Sequence, residues 1–285
     1  MLASGVAAAT YGVVIEPGFR LSVVRWPVAH PGWPASMPPL RIAVLTDLHA
    51  MEPWMPARRI ERIVSAANDL RPDLIVLLGD YVAGMRRYRT GTVSIADWTA
   101  ALRPLRAPHG VHAVLGNHDW WVDARGVRAG LEQTGIRVLE NEAFKLEARG
   151  HRFWLAGLGD QLAKPVRGGF LGVDDLDGTV AQTMGDEDPV ILLAHEPDIF
   201  VNVPPRVTLT LSGHTHGGQV LLPFIGRPVV PSRYGERYAY GHVVEGGRHL
   251  LVSSGLGLSG VPIRFMVPPE IALVTLTAPG VQAPA

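Results

Sequence analysis

Two imidazoles lie two residues apart in the stretch Gly213-His214-Thr215-His216-Gly217. The stretch follows an alternating apolar run, residues 207–211, which predicts a β-strand. A strand that ends there delivers both histidines to one edge of a sheet, and the flanking glycines let the backbone turn and a ligand approach closely. His-x-His alone fits a metal site and a pair of structural histidines equally well, so its interpretation depends on partners elsewhere in the chain.

Four other predicted strands end in polar clusters of the same kind. These are Asp47 and His49 after residues 41–46, Asp80 after 74–78, Asn117 and His118 after 111–115, and His195 after 190–193. Ligand sites in open α/β sheets lie beyond the carboxyl ends of the strands. Five clusters at equivalent positions therefore predict one shared site.

The residue types predict a metal site with two ions. Oxygen and nitrogen ligands are offered by Asp47, His49, Asp80, Asn117, His195, His214 and His216. Seven ligands are too many for one tetrahedral ion, whereas two ions that share a bridging carboxylate accommodate them. Two ions about 3.5–4 Å apart can hold a phosphate from both sides and lower the pKa of a shared water, so phosphoryl chemistry is expected.

His118 is left over from this ligand set. Beside Asn117, it would face the reaction centre, where an imidazole can protonate a departing oxygen. The neighbouring acids Asp119 and Glu196 are either partners that orient His118 and His195 or solvent-exposed side chains.

The elements that must position these residues alternate along the first half of the chain. Helical spacing of apolar residues predicts helices over 57–70, 95–105 and 123–133, between the strands named above. The second half is rich in strands, predicted over 144–148, 153–156, 240–244, 249–253 and 271–277, with a glycine-rich and acidic loop over 157–188. This order predicts an α/β domain whose sheet is parallel at first and mixed later.

Composition restricts the classes of function. With 285 residues, 47% of them hydrophobic and 18% charged, the chain can bury a large core. Its formal net charge of zero indicates no nucleic-acid partner. The absence of cysteine excludes disulfides, thiolate catalysis and cysteine-ligated zinc.

The N-terminal segment has two possible interpretations. Residues 1–15 are small and apolar, shorter than the roughly 20 residues that span a bilayer, and without a basic start. They are either the end of an export or anchor segment, which would associate with a membrane, or a strand or frayed end packed on the domain. The proline-rich residues 26–39 predict an extended linker, so the chain divides into residues 1–39 and a catalytic domain, 40–285.

With these blocks in order, the chain resembles the calcineurin-like metallophosphoesterases. The pattern D-x-H, GD, GNH-[DE], H and GH-x-H is present from Asp47 to His216, and the resemblance extends over residues 40–277. The second half, through residues 217–223, 232–235 and 254–264, resembles a bacterial branch of phosphodiesterases that is often membrane-associated or exported. That branch often has an arginine where this chain has Ser254, and Arg264 is a candidate substitute.

The resemblance implies a four-layer α/β/β/α sandwich with two mixed central sheets. It also implies a site for two divalent ions (manganese, iron or zinc) in which Asp80 bridges. One ion would be held by Asp47, His49, Asp80 and His216, and the other by Asp80, Asn117, His195 and His214. The expected reaction is attack of a metal-bridging hydroxide on a phosphodiester or pyrophosphate, with His118 assisting the leaving group.

Two alternatives stay open. One is a membrane-face hydrolase of a lipid-linked nucleotide-sugar pyrophosphate, for which a loop with Arg86, Arg87 and Arg89 would clamp head groups unless that loop is simply a solvated surface. The other is a non-catalytic metal-binding scaffold. The apolar N-terminus favours a membrane-associated or exported protein over a cytoplasmic one.

Overall fold

The computed structural model describes residues 2–83, 85–88, 90–148 and 150–281. Its α-helices, in chain order, are α1 (Leu2–Thr10), α2 (Glu16–Phe19), α3 (Ala57–Asp69), α4 (Ile95–Leu102), α5 (Asn117–Val122), α6 (Ala124–Gln133) and α7 (Leu176–Ala181). A short π-helix, Tyr11–Ile15, joins α1 to α2. The 3₁₀ turns are Arg86–Tyr88, Pro197–Asn202, His216–Gly218 and Gly235–Tyr238.

The strands of the first half of the chain are β1 (Ser22–Ala29), β2 (Leu40–Leu45), β3 (Met51–Glu52), β4 (Leu74–Leu77), β5 (Gly91–Thr92), β6 (Val111–Ala113), β7 (Arg137–Val138) and β8 (Glu142–Ala148). Those of the second half are β9 (His151–Gly157), β10 (Lys164–Val166), β11 (Gly169–Leu171), β12 (Val190–Leu193), β13 (Leu209–Ser212), β14 (Gly241–Glu245), β15 (Arg248–Val252) and β16 (Glu270–Thr277).

Two six-stranded mixed sheets form the centre of the molecule. The first has the order β1-β16-β2-β4-β6-β7, in which only β16 and β2 pair antiparallel. The second has the order β14-β15-β13-β12-β9-β8, in which the two outer pairs are antiparallel and the inner ones parallel. The parallel strands β2, β4 and β6 of one sheet and β12 and β13 of the other carry the predicted site residues at their carboxyl ends.

Three apolar layers separate four layers of secondary structure. In β2, Ile42 and Val44 point between the sheets, whereas Ala43 and Leu45 face the outer helices, which include α3, α4 and α6. Both faces of the strand are thus buried, which explains its continuous apolar run. The outer face of the second sheet packs against α7 and the 3₁₀ turn Pro197–Asn202. The predicted α/β/β/α sandwich is confirmed.

The N-terminal residues do not form the strand that one of their two interpretations predicted, and the export or anchor segment stays a prediction. Residues 2–19 are helical rather than a strand, and the fully buried Glu16 accepts hydrogen bonds from the backbone N–H groups of Met266 and Val267. The predicted linker, residues 26–39, begins as a strand, because β1 pairs in parallel with β16 at the sheet edge, where Pro27 is tolerated. The division at residue 39 stays a prediction. Among the described residues, no helix is both long and apolar enough to cross a bilayer.

Three histidines pack together where β1 ends against the β14–β15 hairpin. The ring centroid of His249 lies 4.7 Å from that of His30 and 5.0 Å from that of His242. Burial, and then the two neighbouring imidazoles, lower the pKa of His249 to about 4. The neutral form therefore belongs to the folded state.

We expect the free energy of unfolding to fall as the pH drops from 7 to 5. In that window the histidine of the unfolded state, with a pKa of about 6.5, binds a proton, whereas His249 of the folded state does not. The contribution of His249 to the free energy of unfolding is therefore fully present above about pH 6.5 and is lost as the pH falls towards about 4. Partial solvent exposure limits the effect to about 1 kcal/mol. Urea unfolding at the two pH values should show this loss, and His249→Phe should reduce it. An unchanged pH dependence in that variant would assign the effect to other groups.

Candidate metal centre

The carboxyl ends of five strands from both sheets meet at one edge of the sandwich. The turns that follow these strands bring together all seven predicted ligands and His118. Asp47, His49, Asp80, Asn117, His195 and His216 are buried, while His118 and His214 keep partial exposure. The site is thus sunk between the sheets and open on one side.

The backbone of these turns is strained in the way expected of a functional site. A left-handed φ between 45° and 67° occurs at Asp47, His49, Asp80, His214 and His216. Each such non-glycine residue costs about 1–3 kcal/mol, which the surrounding structure must offset. Backbone hydrogen bonds do so: the N–H of Asp47 donates to Gly79 and that of His49 to Asp80.

Two glycines make the close approach of these turns feasible. A Cβ atom on Gly79, whose φ is +95°, would lie 2.5 Å from the backbone nitrogen of Gly116. A Cβ on Gly213 would lie 2.1 Å from Thr46 Oγ1 and 2.5 Å from Asp47 Oδ2. Any side chain at these positions would push the turns apart.

One half of the cluster is formed by Asp47, His49, Asp80 and His216. The Nε2 atoms of His49 and His216 are 3.1 Å apart. Asp80 Oδ2 lies 3.4 Å from His49 Nε2, and Asp47 Oδ1 lies 3.4 Å from His216 Nε2. Two ligands of one ion, each about 2.1 Å from it, stand roughly 3.0–3.4 Å apart, so these separations match a shared ion.

The other half is formed by Asp80, Asn117, His195 and His214. Asn117 Oδ1 lies 3.2 Å from His195 Nε2 and 3.0 Å from His214 Nδ1. Asp80 Oδ2 lies 3.3 Å from His195 Nε2, so the same oxygen approaches both halves. Asp80 is therefore placed to bridge.

The tautomers of two histidines fit a cation. His195 Nδ1 lies 2.6 Å from the carbonyl oxygen of Leu78, and His49 Nδ1 lies 3.2 Å from that of Val82. A carbonyl only accepts, so each Nδ1 carries a proton and each Nε2 is turned towards Asp80. Burial keeps His49 neutral, so its Nε2 aims a lone pair at that carboxylate, and a cation between the two atoms would remove the repulsion. Burial lowers the pKa of His195, but Asp80 outweighs it and raises that pKa well above the ordinary value, so a metal ion would take the place of the second proton at Nε2. Backbone partners of this kind orient metal-binding histidines.

The pKa values of the two carboxylates, Asp47 and Asp80, shift in opposite directions. Burial raises the pKa of Asp47 to about 7. Burial acts in the same direction on Asp80, but the imidazoles of His195, His118 and His49 outweigh it and hold its pKa well below the usual range. Burial lowers the pKa of His49 to about 3 and that of His216 well below 6.5, which keeps both rings neutral, the form that binds metals.

His118 stands beside both halves. Its backbone N–H donates to Asp80 Oδ1 at 2.8 Å, and its Nε2 lies 3.3 Å from Ser259 Oγ. The ring packs edge-on against His49, with centroids 4.7 Å apart. It also packs in a tilted arrangement against Trp121, with centroids 4.9 Å apart. A nitrogen of His118 is also close enough to His49 and Asp80 for these three to form a metal-binding group, so geometry alone leaves its assignment open.

The match to known protein families decides the class of this chain. Residues 40–218 match the model of the calcineurin-like phosphoesterase family, which is more than half of the sequence. The chain belongs to the calcineurin-like phosphoesterases. The resemblance that the motifs predicted is therefore confirmed.

Relatives of this phosphoesterase include bacterial proteins matched over most of their length. It is 34% identical to the uncharacterized metallophosphoesterase YkuE of Bacillus subtilis, covering 83% of this chain and 78% of the relative. It is 30% identical to phosphodiesterase YaeI of Escherichia coli, covering 84% and 82%. Among solved structures, a 5′-nucleotidase precursor of Thermus thermophilus matches with a TM-score of 0.48 and 16% identity, covering 77% of this chain and 49% of that one.

The phosphoesterase is thus a phosphoester hydrolase of a family that depends on divalent metal ions. The non-catalytic scaffold that the sequence left open is set aside by this membership.

Two neighbouring acids do not orient the histidines as predicted. Asp119 is fully buried, and its carboxylate accepts the backbone N–H groups of Asp80, Tyr81 and Gly116. It clamps the turns that carry Asp80 and Asn117 rather than the ring of His118. The carboxylate of Glu196 accepts hydrogen bonds from Gln161 and not from His195.

Asp160 and Glu196 form a buried acid pair behind His195. Burial, and then Glu196, raise the pKa of Asp160 to about 10, so Asp160 is protonated at neutral pH. The sequence did not single out Asp160, because its proximity to Glu196 follows only from the fold.

Arg264 lies beside the ligand cluster, and its substitution for the arginine of the related branch stays a prediction. The fully buried guanidinium donates to the carbonyl oxygens of Gly257, Ser254 and Val267, and its Nη2 lies 3.3 Å from His216 Nδ1. Arg264 therefore holds the loop after β15 together and places it beside the ring of His216. In the predicted arginine loop, Arg87 is exposed, whereas Gly84 and Arg89 lie outside the described residues.

Two cavities share Trp121, His214 and Pro231 in their walls; the first covers the ligand cluster, and the second meets the cluster at His214. The apolar lobe, of about 460 Å³, has a floor of site residues and walls that include Val220, Val229 and Val261. The polar lobe, of about 490 Å³, is lined by Gln161, Phe170, Glu196, Asp198 and Arg233, among others. The sequence did not assign these walls, although Val220, Arg233 and Val261 lie in the stretches 217–223, 232–235 and 254–264 that resemble the bacterial branch.

Proposed function

We propose that this phosphoesterase hydrolyses phosphodiesters with two divalent ions held in the two halves of the cluster. The observation that carries the proposal is Asp80 Oδ2, which lies within 3.4 Å of a histidine Nε2 on either side. Manganese, iron and zinc all suit a mixed histidine, carboxylate and amide ligand set. Bound there, the ions would supply Lewis acidity and a water of lowered pKa.

The protein ligands divide between the two ions. Asp47, His49, Asp80 and His216 would hold the first, and Asp80, Asn117, His195 and His214 would hold the second. Because two divalent ions carry more charge than the carboxylates of Asp47 and Asp80, the site keeps a net positive charge. That charge attracts an anionic phosphoester and stabilises the charge that builds in its transition state.

His118 delivers a proton to the departing oxygen. Its Nε2 faces the apolar lobe beside Ser259, in reach of a group that leaves on that side. Such a positioned imidazole accelerates cleavage about 10²–10⁴-fold.

A diester fits better than a monoester because the ligand cluster opens into two lobes. A phosphorus atom over the cluster can carry one substituent into each lobe, whereas a monoester would fill only one. A relative named as a phosphodiesterase agrees with this choice.

Removal of the metal ions tests the proposal. Dialysis against a chelator should lower the hydrolysis of bis(p-nitrophenyl) phosphate to below about 1% of the starting rate, because removing the ions removes the Lewis acid and its activated water together. Adding manganese back should restore the rate as the metal content, measured by elemental analysis, rises to two per chain. Full activity in metal-free protein, or saturation at one ion, would contradict the dinuclear assignment.

A second candidate is a hydrolase of lipid-linked substrates at a membrane face, and one surface favours it. Phe224 and Ile225 are exposed at a tight turn closed by a bridge between Leu222 and Gly226. Val220 of the apolar lobe is bridged to Phe265, which packs against Tyr11 of the N-terminal helical segment. The exposed apolar side chains of that segment include Val6, Val14, Ile15 and Phe19.

Vesicle binding separates this candidate from the first. If the surface lies on a bilayer, the protein should co-sediment with phospholipid vesicles, and Phe224→Ser with Ile225→Ser should weaken the binding by about tenfold or more, because both side chains leave the acyl region. Val244→Ser, an exposed valine on β14, is the matched control. Equal sedimentation of all three proteins, or none, would remove the membrane candidate and leave the phosphodiesterase proposal intact.

A further inference from the structure

The two lobes differ in the chemistry that their walls offer. Above its floor, the apolar lobe presents the side chains of Val220, Val229 and Val261. Gln219 also lines it, but its amide is consumed, since Nε2 donates to the carbonyl oxygens of Ser259 and Val261 and Oε1 accepts the N–H of Ser259. The wall therefore suits a group without hydrogen-bonding atoms.

The polar lobe offers a stacking surface and acceptors. Trp121 and Phe170 are partly exposed and nearly parallel, with centroids 5.3 Å apart and an interplanar angle of 18°. The indole N–H of Trp121 donates to the carbonyl oxygen of Leu162, which fixes the orientation of the ring. A flat, planar group can extend such a stack.

Charge in the polar lobe favours a neutral occupant. Glu196 and Asp198 contribute two carboxylates against the single guanidinium of Arg233. Asp198 already accepts hydrogen bonds from Ser232 Oγ and the N–H of Arg233, and Glu196 accepts them from Gln161. A hydroxyl group would therefore use the remaining lone pairs of these carboxylates, and their two charges repel a further anion. A nucleoside, which is flat at one end and hydroxylated at the other, satisfies both the stack and the acceptors.

His118 breaks the symmetry between the lobes. It lines the apolar lobe, whereas the described walls of the polar lobe are formed without it. The proton that His118 supplies is therefore available on the apolar side of the phosphorus.

We propose that the substrate is a phosphodiester that joins an apolar alcohol to a neutral, hydroxyl-bearing arm with a flat face, and that the apolar arm is the leaving group. The proposal rests on the phosphodiesterase function and adds the identity of the arms and the bond that breaks.

In this reaction one bond to phosphorus forms and another breaks. The oxygen of a water molecule forms a new bond to phosphorus, and the bond from phosphorus to the oxygen of the apolar arm breaks. The departing oxygen takes a proton from His118 Nε2. The attacking water gives one proton to solvent, and His118 regains its proton from solvent, so no net proton is gained or lost by the protein. The products are an apolar alcohol, released into the apolar lobe, and a phosphomonoester of the polar arm.

Thymidine 5′-octyl phosphate tests the direction of cleavage, because both of its leaving oxygens are primary alkoxides of similar basicity. We expect thymidine monophosphate and octanol to exceed thymidine and octyl phosphate by about tenfold or more, as measured by phosphorus NMR and mass spectrometry. The kcat/KM should exceed that of thymidine 5′-ethyl phosphate by about tenfold or more, because the longer chain fills the apolar lobe.

Variants connect the result to the lobes. Val229→Asn with Val261→Asn should remove most of the octyl-over-ethyl preference. Val244→Asn, at an exposed valine on β14 outside both lobes, should leave that preference unchanged. Phe170→Ala should raise KM for both thymidine diesters about equally, because it shortens the stack that they share.

The outcomes separate the two proposals. Hydrolysis of bis(p-nitrophenyl) phosphate together with equal or reversed products from the octyl diester, or without turnover of it, would overturn the inference alone. A preference for the octyl diester that survives the double valine substitution would also overturn it. Failure on every diester, with two metal ions bound, would overturn the phosphodiesterase function and the inference with it.

Discussion

Asp80→Asn should abolish most of the activity, because it removes the carboxylate that two metal ions are proposed to share. The expected loss in kcat/KM on bis(p-nitrophenyl) phosphate is at least about 10³-fold, more than the 10–100-fold typical of losing a group that merely orients a ligand. Elemental analysis should show the metal content fall from two ions per chain to one or fewer. The reason is that Asp80 Oδ2 faces His49 on one side and His195 on the other, so its charge holds both halves.

The fold should survive this substitution. Asparagine tolerates the left-handed φ of 57° at position 80, and the turn is held through backbone N–H groups donated to Asp119. Circular dichroism should therefore be unchanged, which separates loss of the site from loss of structure.

Asp160→Asn is the matched control. Asp160 is also a buried aspartate near His195, but it is protonated at neutral pH, so an amide of the same shape preserves its charge. It should keep both metal ions and activity within about threefold of the starting protein, since a neutral isostere alters little. If Asp80→Asn kept two ions and full activity, Asp80 would not be the bridge.

The position of the site could be predicted because it depends on a general property of parallel sheets. Residues after β2, β4, β6, β12 and β13 meet at one edge whatever the details of the loops. The helix predicted over 57–70 is observed as Ala57–Asp69, because its apolar face is periodic and Pro72 stops it soon afterwards. Local periodicity and strand direction carry most of this information.

Features that depend on distant partners could not be predicted. β1 pairs with β16, nearly 250 residues later, and the sequence of β1, which contains a proline, does not predict that partner. The helical N-terminal segment is likewise held by contacts from Glu16 to Met266 and Val267. Tertiary contacts of this kind override local propensity.

The two lobes show the same limit within the site. Trp121 follows the ligand Asn117 closely, but Phe170 belongs to the β10–β11 hairpin and Val229 and Val261 to separate loops. Ligand spacing announces the metal centre because metals demand particular atoms at particular distances. Walls that select a substrate by shape demand no such spacing, so their residues emerge only when the chain is folded.

His118→Ala should lower kcat by about 10²–10⁴-fold on a diester with an alkyl leaving group. On bis(p-nitrophenyl) phosphate the loss should be much smaller, because p-nitrophenolate is a weak base and leaves without a proton. The comparison of the two substrates therefore measures proton delivery and not general damage to the site. Ser259→Ala, which removes the hydroxyl 3.3 Å from His118 Nε2, should cost less than about tenfold on either substrate, since the imidazole remains.

Metal content decides between the two assignments that geometry leaves to His118. Its nitrogen is near enough to His49 and Asp80 to bind an ion with them, but only the backbone N–H of His118 bonds to Asp80 Oδ1, and alanine keeps that contact. A proton donor can thus be removed with both ions in place, and the loss then follows the basicity of the leaving group. If His118 were instead a metal ligand, its removal would release an ion and would slow the hydrolysis of both substrates alike. Two retained ions together with a loss confined to the alkyl diester would place His118 on the path of the proton, on the side of the phosphorus that the apolar lobe defines.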